Sequence, residues 1–73
     1  MQFEYTDNGQ KGEFFSLNDA GQRIAEISYA WRDDKTIVAD HTWVDDSLRG
    51  QGVARKLLDR LVEFAREKQL KII

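Results

Sequence analysis

Arg49-Gly50-Gln51-Gly52-Val53-Ala54 is the stretch whose residue types and spacing point most directly to chemistry. Gly50 and Gly52 stand where an apolar, strand-like run ends and a long amphipathic pattern begins, so the backbone can approach a ligand with no side chain in between. The first turn of a helix leaves amide N–H groups without partners and carries the positive end of the macrodipole, which together suit an anion. His41 is the second residue of interest. It is the only histidine in the chain, and histidine is the side chain that exchanges protons near neutral pH. Asp40, Asp45 and Asp46 could hold an amine or accept its proton, although carboxylates in a loop before a helix more often cap it, with Asp46 or Ser47 the expected cap.

Three phosphate-binding spellings can be tested on the glycine turn. The dinucleotide fingerprint G-x-G-x-x-G/A, started at Gly50, needs glycine or alanine where the chain has Arg55. The P-loop needs Gly-Lys-Ser or Gly-Lys-Thr, and neither occurs. The third, Gln/Arg-x-x-Gly-x-Gly/Ala, is satisfied by Arg49, Gly52 and Ala54. With His41-Thr42-Trp43-Val44 and a short acidic loop before it, this segment resembles the GNAT superfamily of N-acetyltransferases, and in particular its small stand-alone branch.

The resemblance spans roughly the whole chain and implies a set of roles. Backbone amides of Gln51, Gly52, Val53 and Ala54, with Gly50 leaving the approach clear and Arg49 adding charge, would hold the pyrophosphate of acetyl-CoA or coenzyme A. Trp43, Val44 and Asp45 would flank the pantetheine arm, their amides polarising the thioester carbonyl. A primary amine would attack directly in a ternary complex, with His41 a candidate to take its proton beside the three aspartates. No covalent acyl-enzyme is implied, because there is no cysteine and no serine beside the histidine. The alternative reading is a non-catalytic acyl-CoA-binding or protein-interaction module. Members of the branch continue with a Pro-x-Cys segment and a further helix, whereas this sequence stops at Ile73. The resulting expectation is a truncated domain that binds coenzyme A, turns over slowly if at all, and forms a homodimer through an uncovered strand edge near Asp40 to Val44.

Composition narrows the classes. Seventy-three residues make one domain, residues 1–73, and a domain of this size buries only about 60% of its unfolded surface. Eleven basic residues against thirteen acidic ones give a net charge of −2, which offers no basic field for nucleic acid. One histidine and no cysteine argue against a metal site, and the lack of cysteine suits a reducing cytoplasm. No apolar run approaches the roughly 20 residues needed to cross a bilayer, so no membrane partner is expected.

The elements that must position these residues follow from periodicity. Phe3 and Tyr5 alternate with polar neighbours, Asn8-Gly9 signals a hairpin, and Glu13 to Leu17 returns with Phe14 opposite Phe15 and Leu17. After a turn at Asn18 to Gly21, Arg23 to Trp31 sets Ala25, Ile27, Tyr29 and Trp31 on one face. Thr36 to Val44 is the next strand, and strict alternation puts Ile37, Ala39, His41 and Trp43 on one side of it against Val38, Asp40, Thr42 and Val44. A helix from about Gly52 to Gln69 carries the stripe Ala54, Leu57, Leu58, Leu61, Val62 and Ala65, flanked by Val53 and Phe64; Lys71 to Ile73 opens a fifth strand. The predicted class is α+β: an antiparallel four-strand meander, then a helix and a short strand, the order of the GNAT acyl-CoA-binding core.

Overall fold

The strand and turn signals are realised as one five-stranded sheet with one helix on one face, in a computed structural model that describes residues 2–73. Strands β1 (Glu4–Asp7), β2 (Lys11–Leu17), β3 (Arg23–Asp33) and β4 (Thr36–Val44) precede a 3-10 turn at Asp46–Leu48, helix α1 (Val53–Lys68) and strand β5 (Lys71–Ile72). Spatial order equals chain order. The first three pairings are antiparallel, and β5 joins β4 in parallel, as a strand does when it returns after a helix packed on the sheet.

Local chemistry explains the turns. At the first, Gly9 takes φ 90° while the Asn8 side chain accepts from the amides of Gln10 and Lys11, both at 2.9 Å. At the second, Asn18 accepts from Ala20 and Gln22. Helix α1 stops because Gln69 adopts a left-handed φ of 57° and turns its amide onto Ala65 and Arg66 carbonyls, a conformation that costs a non-glycine residue about 1–2 kcal/mol.

Phe14, Ala25, Ile27, Tyr29 and Ile37 from the sheet meet Val53, Leu57, Leu61 and Phe64 from α1 in one core. Each fully buried leucine contributes about 1.5–3 kcal/mol through area removed from water. The helix stripe is rotated from the one the sequence suggests. Ala54 and Leu58 lie in solvent, Leu58 being 45% exposed, and Phe64 belongs to the core rather than to its flank. Two faces of a helix rich in leucine and alanine satisfy the same spacing, and the four aromatic rings of Tyr5, Phe14, Tyr29 and Trp31 clustering around Phe64 select between them.

Strand β4 departs from strict alternation. Tyr29 is opposite Ala39 but its neighbour Ser28 is opposite His41, so Asp40 is an extra residue that shifts the register. Beyond it the faces exchange. Ile37, Ala39, Thr42 and Val44 share the helix side with Trp31, Tyr29, Ile27 and Ala25, while Val38, His41 and Trp43 lie on the opposite face. The expected grouping of Ile37, Ala39, His41 and Trp43 is therefore wrong past Asp40, because one inserted residue inverts a period of two.

Candidate functional site

The glycine turn reaches its shape through a chain of local bonds. Asp45, extended at the end of β4, accepts the Ser47 amide at 3.1 Å and the Ser47 hydroxyl at 2.6 Å, which caps the 3-10 turn. Those bonds hold the Asp45 carboxyl below the usual carboxylate range. The capping residue is thus Asp45, not Asp46 or Ser47, and what it caps is the short turn rather than α1. Arg49 then extends, its guanidinium 3.1 Å from Asp46 with both side chains in solvent.

Gly50 and Gly52 both take positive φ, 79° and 69°, where a side chain would be strained, and open space surrounds the position of a Cβ at each. Gly52 is the N-cap of α1 and offers no side chain to its amides. The Gln51 amide turns back to the Leu48 carbonyl at a long 3.4 Å, and the helical ladder begins with Lys56 bonding Gly52 at 3.1 Å. The amides of Val53, Ala54 and Arg55 precede that first bond, so the turn ends on a row of donors without helical acceptors. No acidic residue occupies the first turn of α1 to neutralise them.

Val44 and Asp45 bring the end of β4 next to this turn. The Asp45 amide donates to Ile24 of β3 at 2.8 Å, so by alternation the Val44 amide points to the other edge of β4. On that edge β5 engages β4 as far as Ala39, whose amide meets Ile73 at 3.2 Å; from Asp40 to Val44 no strand lies beside it among the described residues. Of the three amides expected to face a thioester, Val44 is the one left available.

His41 and Trp43 sit apart from the glycine turn, on the face of the sheet without a helix. Cross-strand pairing makes two rows there: Glu13, Ser28 and His41, then Phe15, Glu26 and Trp43. His41 Nε2 lies 3.1 Å from a Glu26 carboxylate oxygen. Arg23 pairs bidentately with Glu13 at 2.6 and 2.8 Å, reaches Glu26 at 3.5 Å and stacks on Phe15. Asp40, at the inserted position, joins Glu13, Glu26 and Ser28 in lining an open cavity of about 330 Å³. Glu26 was not visible as a site residue in the sequence. It stands fifteen positions from His41, and only the extra residue in β4 carries the two side chains to one face.

Comparison with known proteins bears on the family and the fold. A family model described as GCN5-related N-acetyl-transferase matches residues 13–73. No curated protein matches the chain. Among solved structures the chain is similar to a GCN5-like N-acetyltransferase from Staphylococcus aureus determined by NMR, at 46% identity and a TM-score of 0.69, covering 96% of this chain and 67% of that one. A second S. aureus protein, of the GNAT acetyltransferase family, shares 20% identity with a TM-score of 0.74 over 90% of this chain and 56% of its own. An acetyltransferase of that family from Elizabethkingia anophelis, solved with acetyl-CoA bound, gives 17% identity and a TM-score of 0.71 over 86% of this chain and 41% of its own. These last two likenesses show the fold alone, and the chain spans about half the length of the proteins concerned.

Proposed function

The chain belongs to the GCN5-related N-acetyltransferase family, and from that premise we propose that it binds acetyl-CoA at the Arg49 to Ala54 turn and passes the acetyl group to a primary amine. One observation carries this reading: left-handed glycines at 50 and 52 leave the Val53 to Arg55 amides free at a helix start that follows directly from the open edge of β4. The pyrophosphate takes those amides and the charge of Arg49. The pantetheine amides extend β4 along the edge from Asp40 to Val44, as any strand-like partner would. Its thioester carbonyl then lies by the Val44 amide, which stabilises the oxyanion as it forms.

The amine approaches as an ammonium ion and must lose a proton before it can attack. His41, beside the inserted Asp40, accepts that proton; the neutral nitrogen forms its bond to the carbonyl carbon, and the tetrahedral intermediate collapses with release of the coenzyme A thiolate, the nitrogen giving up its second proton to that thiolate or to water. Trp43, two residues along on the same face, walls the acyl end. Holding the two reactants in line supplies most of the rate enhancement.

An assay of thiol release from acetyl-CoA, with and without a panel of primary amines led by a diamine, tests the function. Slow amine-dependent release is expected. Tight coenzyme A binding with no amine-dependent release would favour the second reading, an acyl-CoA-binding module, which the same turn also serves. The open edge of β4 further supports pairing with a second copy of the chain, and since coenzyme A uses that same edge, saturating coenzyme A should shift any dimer towards monomer in sedimentation.

A further inference from the structure

Histidine rings on exposed strand faces rotate freely unless something holds one nitrogen, and a base that wanders is a poor acceptor for one particular proton. His41 is about half exposed, so packing alone does not fix its ring. What meets it is the Glu26 carboxylate, 3.1 Å from Nε2 and itself the more buried of the two side chains. Glu26 is in turn steadied by Arg23 at 3.5 Å, and Arg23 is anchored by its two bonds to Glu13.

We propose that Glu26 is the positioning residue for His41: its carboxylate accepts the Nε2 proton and holds the ring so that Nδ1 is left to take the proton from the acceptor amine. The insertion at Asp40 makes this arrangement. With strict alternation His41 would share the helix side with Ile37 and Ala39; the extra residue swings it to the face where Ser28 and Glu26 lie. Proton transfer to Nδ1 leaves an imidazolium whose Nε2–H still faces the carboxylate, so the positive charge forms next to a negative one already in place. The proton then leaves to the coenzyme A thiolate or to water.

The inference rests on the acyl-transfer reading and on His41 as acceptor, so the test separates the two. Glu26→Leu removes the acceptor while Arg23 keeps Glu13; Glu26→Gln keeps an acceptor oxygen at the same reach. Relaxation of the His41 ring Cδ2–Hδ2 reads positioning directly, and kcat with KM for acetyl-CoA reads its consequence. Glu26→Leu should free the ring on the picosecond-to-nanosecond timescale and lower kcat about fivefold with KM unchanged, the scale of a partly exposed charged hydrogen bond. Glu26→Gln should keep ring order and stay within about twofold of the parent in kcat. An equally ordered ring in Glu26→Leu, an unchanged kcat there, or a glutamine variant as impaired as the leucine one would overturn the proposal. His41→Ala with full kcat would instead overturn His41 as acceptor, and an inactive parent would overturn acyl transfer itself and the proposal with it.

Discussion

The ring of Tyr29 lies directly over Gly12, so close that a Cβ on Gly12 would sit 2.2 Å from two of its atoms. Gly12 is opposite Tyr29 in the pairing of β2 with β3, and the missing side chain lets the ring lie flat along the sheet while its hydroxyl reaches Asp7 at 2.5 Å and Tyr5 at 3.0 Å. Asp7 also receives the Trp31 indole N–H at 2.9 Å and the Gly9 amide at 2.7 Å. One carboxylate thus ties the first hairpin to the aromatic cluster under α1.

Gly12→Ala should therefore destabilise the fold even though alanine suits a strand better than glycine. The tyrosine must leave its place and surrender the Asp7 bond, at a cost of about 2–4 kcal/mol on the scale of an overpacked core with a lost buried hydrogen bond. Urea denaturation measures it. A variant as stable as the parent would show that the ring has room to move.

The same cluster sets the response to pH. Burial works against the Asp7 charge, but hydrogen bonds from Tyr29, the Gly9 amide, Trp31 and Tyr5 outweigh it and hold the carboxyl below its usual range. Glu13 is lowered too, first by its hydrogen bonds from Arg23. Depressed carboxylates contribute stability that is present above their unfolded-state values, near pH 4, and lost as pH falls through the lower folded-state ones. Tyr29 is shifted the other way by burial and by its bond to Asp7, so its contribution is present below about pH 10 and lost above it. Urea midpoints should form a plateau between those limits. Asp7→Asn should flatten the acid limb, and an acid limb identical to the parent's would contradict the assignment.

The meander, the single helix and the glycine turn were legible because each is written locally: Asn8-Gly9 makes a hairpin, alternation from Ala25 to Trp31 makes a half-buried strand, and Gly50 and Gly52 mark a helix start. What escaped depends on distant partners. The insertion at Asp40 has no sequence mark, since it exists only relative to the facing strand, and with it went the faces of His41 and Trp43 and the partnership with Glu26. Gly12 fell just before the return strand expected at Glu13 to Leu17 and had no local mark, because the ring that requires it is seventeen positions away.

The rotated helix stripe separates two neighbouring leucines. Leu57 is fully buried and Leu58 is 45% exposed. Leu57→Ala should lose about 2–5 kcal/mol, and Leu58→Ala less than about 1 kcal/mol. Equal losses would restore the unrotated stripe.

At the glycine turn, Gly52→Glu places a carboxylate where the pyrophosphate would lie and forces a side chain into a left-handed backbone. The strain costs about 1–2 kcal/mol and leaves the fold intact, whereas coenzyme A binding should be abolished by bulk and repulsion together. Gly52→Ala, which keeps the strain without the charge, should retain part of the affinity. Calorimetric titration beside far-ultraviolet circular dichroism distinguishes the two effects, and a glutamate variant that binds like the parent removes Gly52 from the site.

The most direct test of phosphate binding at the start of α1 is a titration of the isotope-labelled chain with coenzyme A, followed by backbone amide NMR shifts. The largest changes should fall on Gly52, Val53, Ala54 and Arg55, with a second group at Val44. Largest changes at the Asn8-Gly9 or Asp33-Asp34 turns would contradict it.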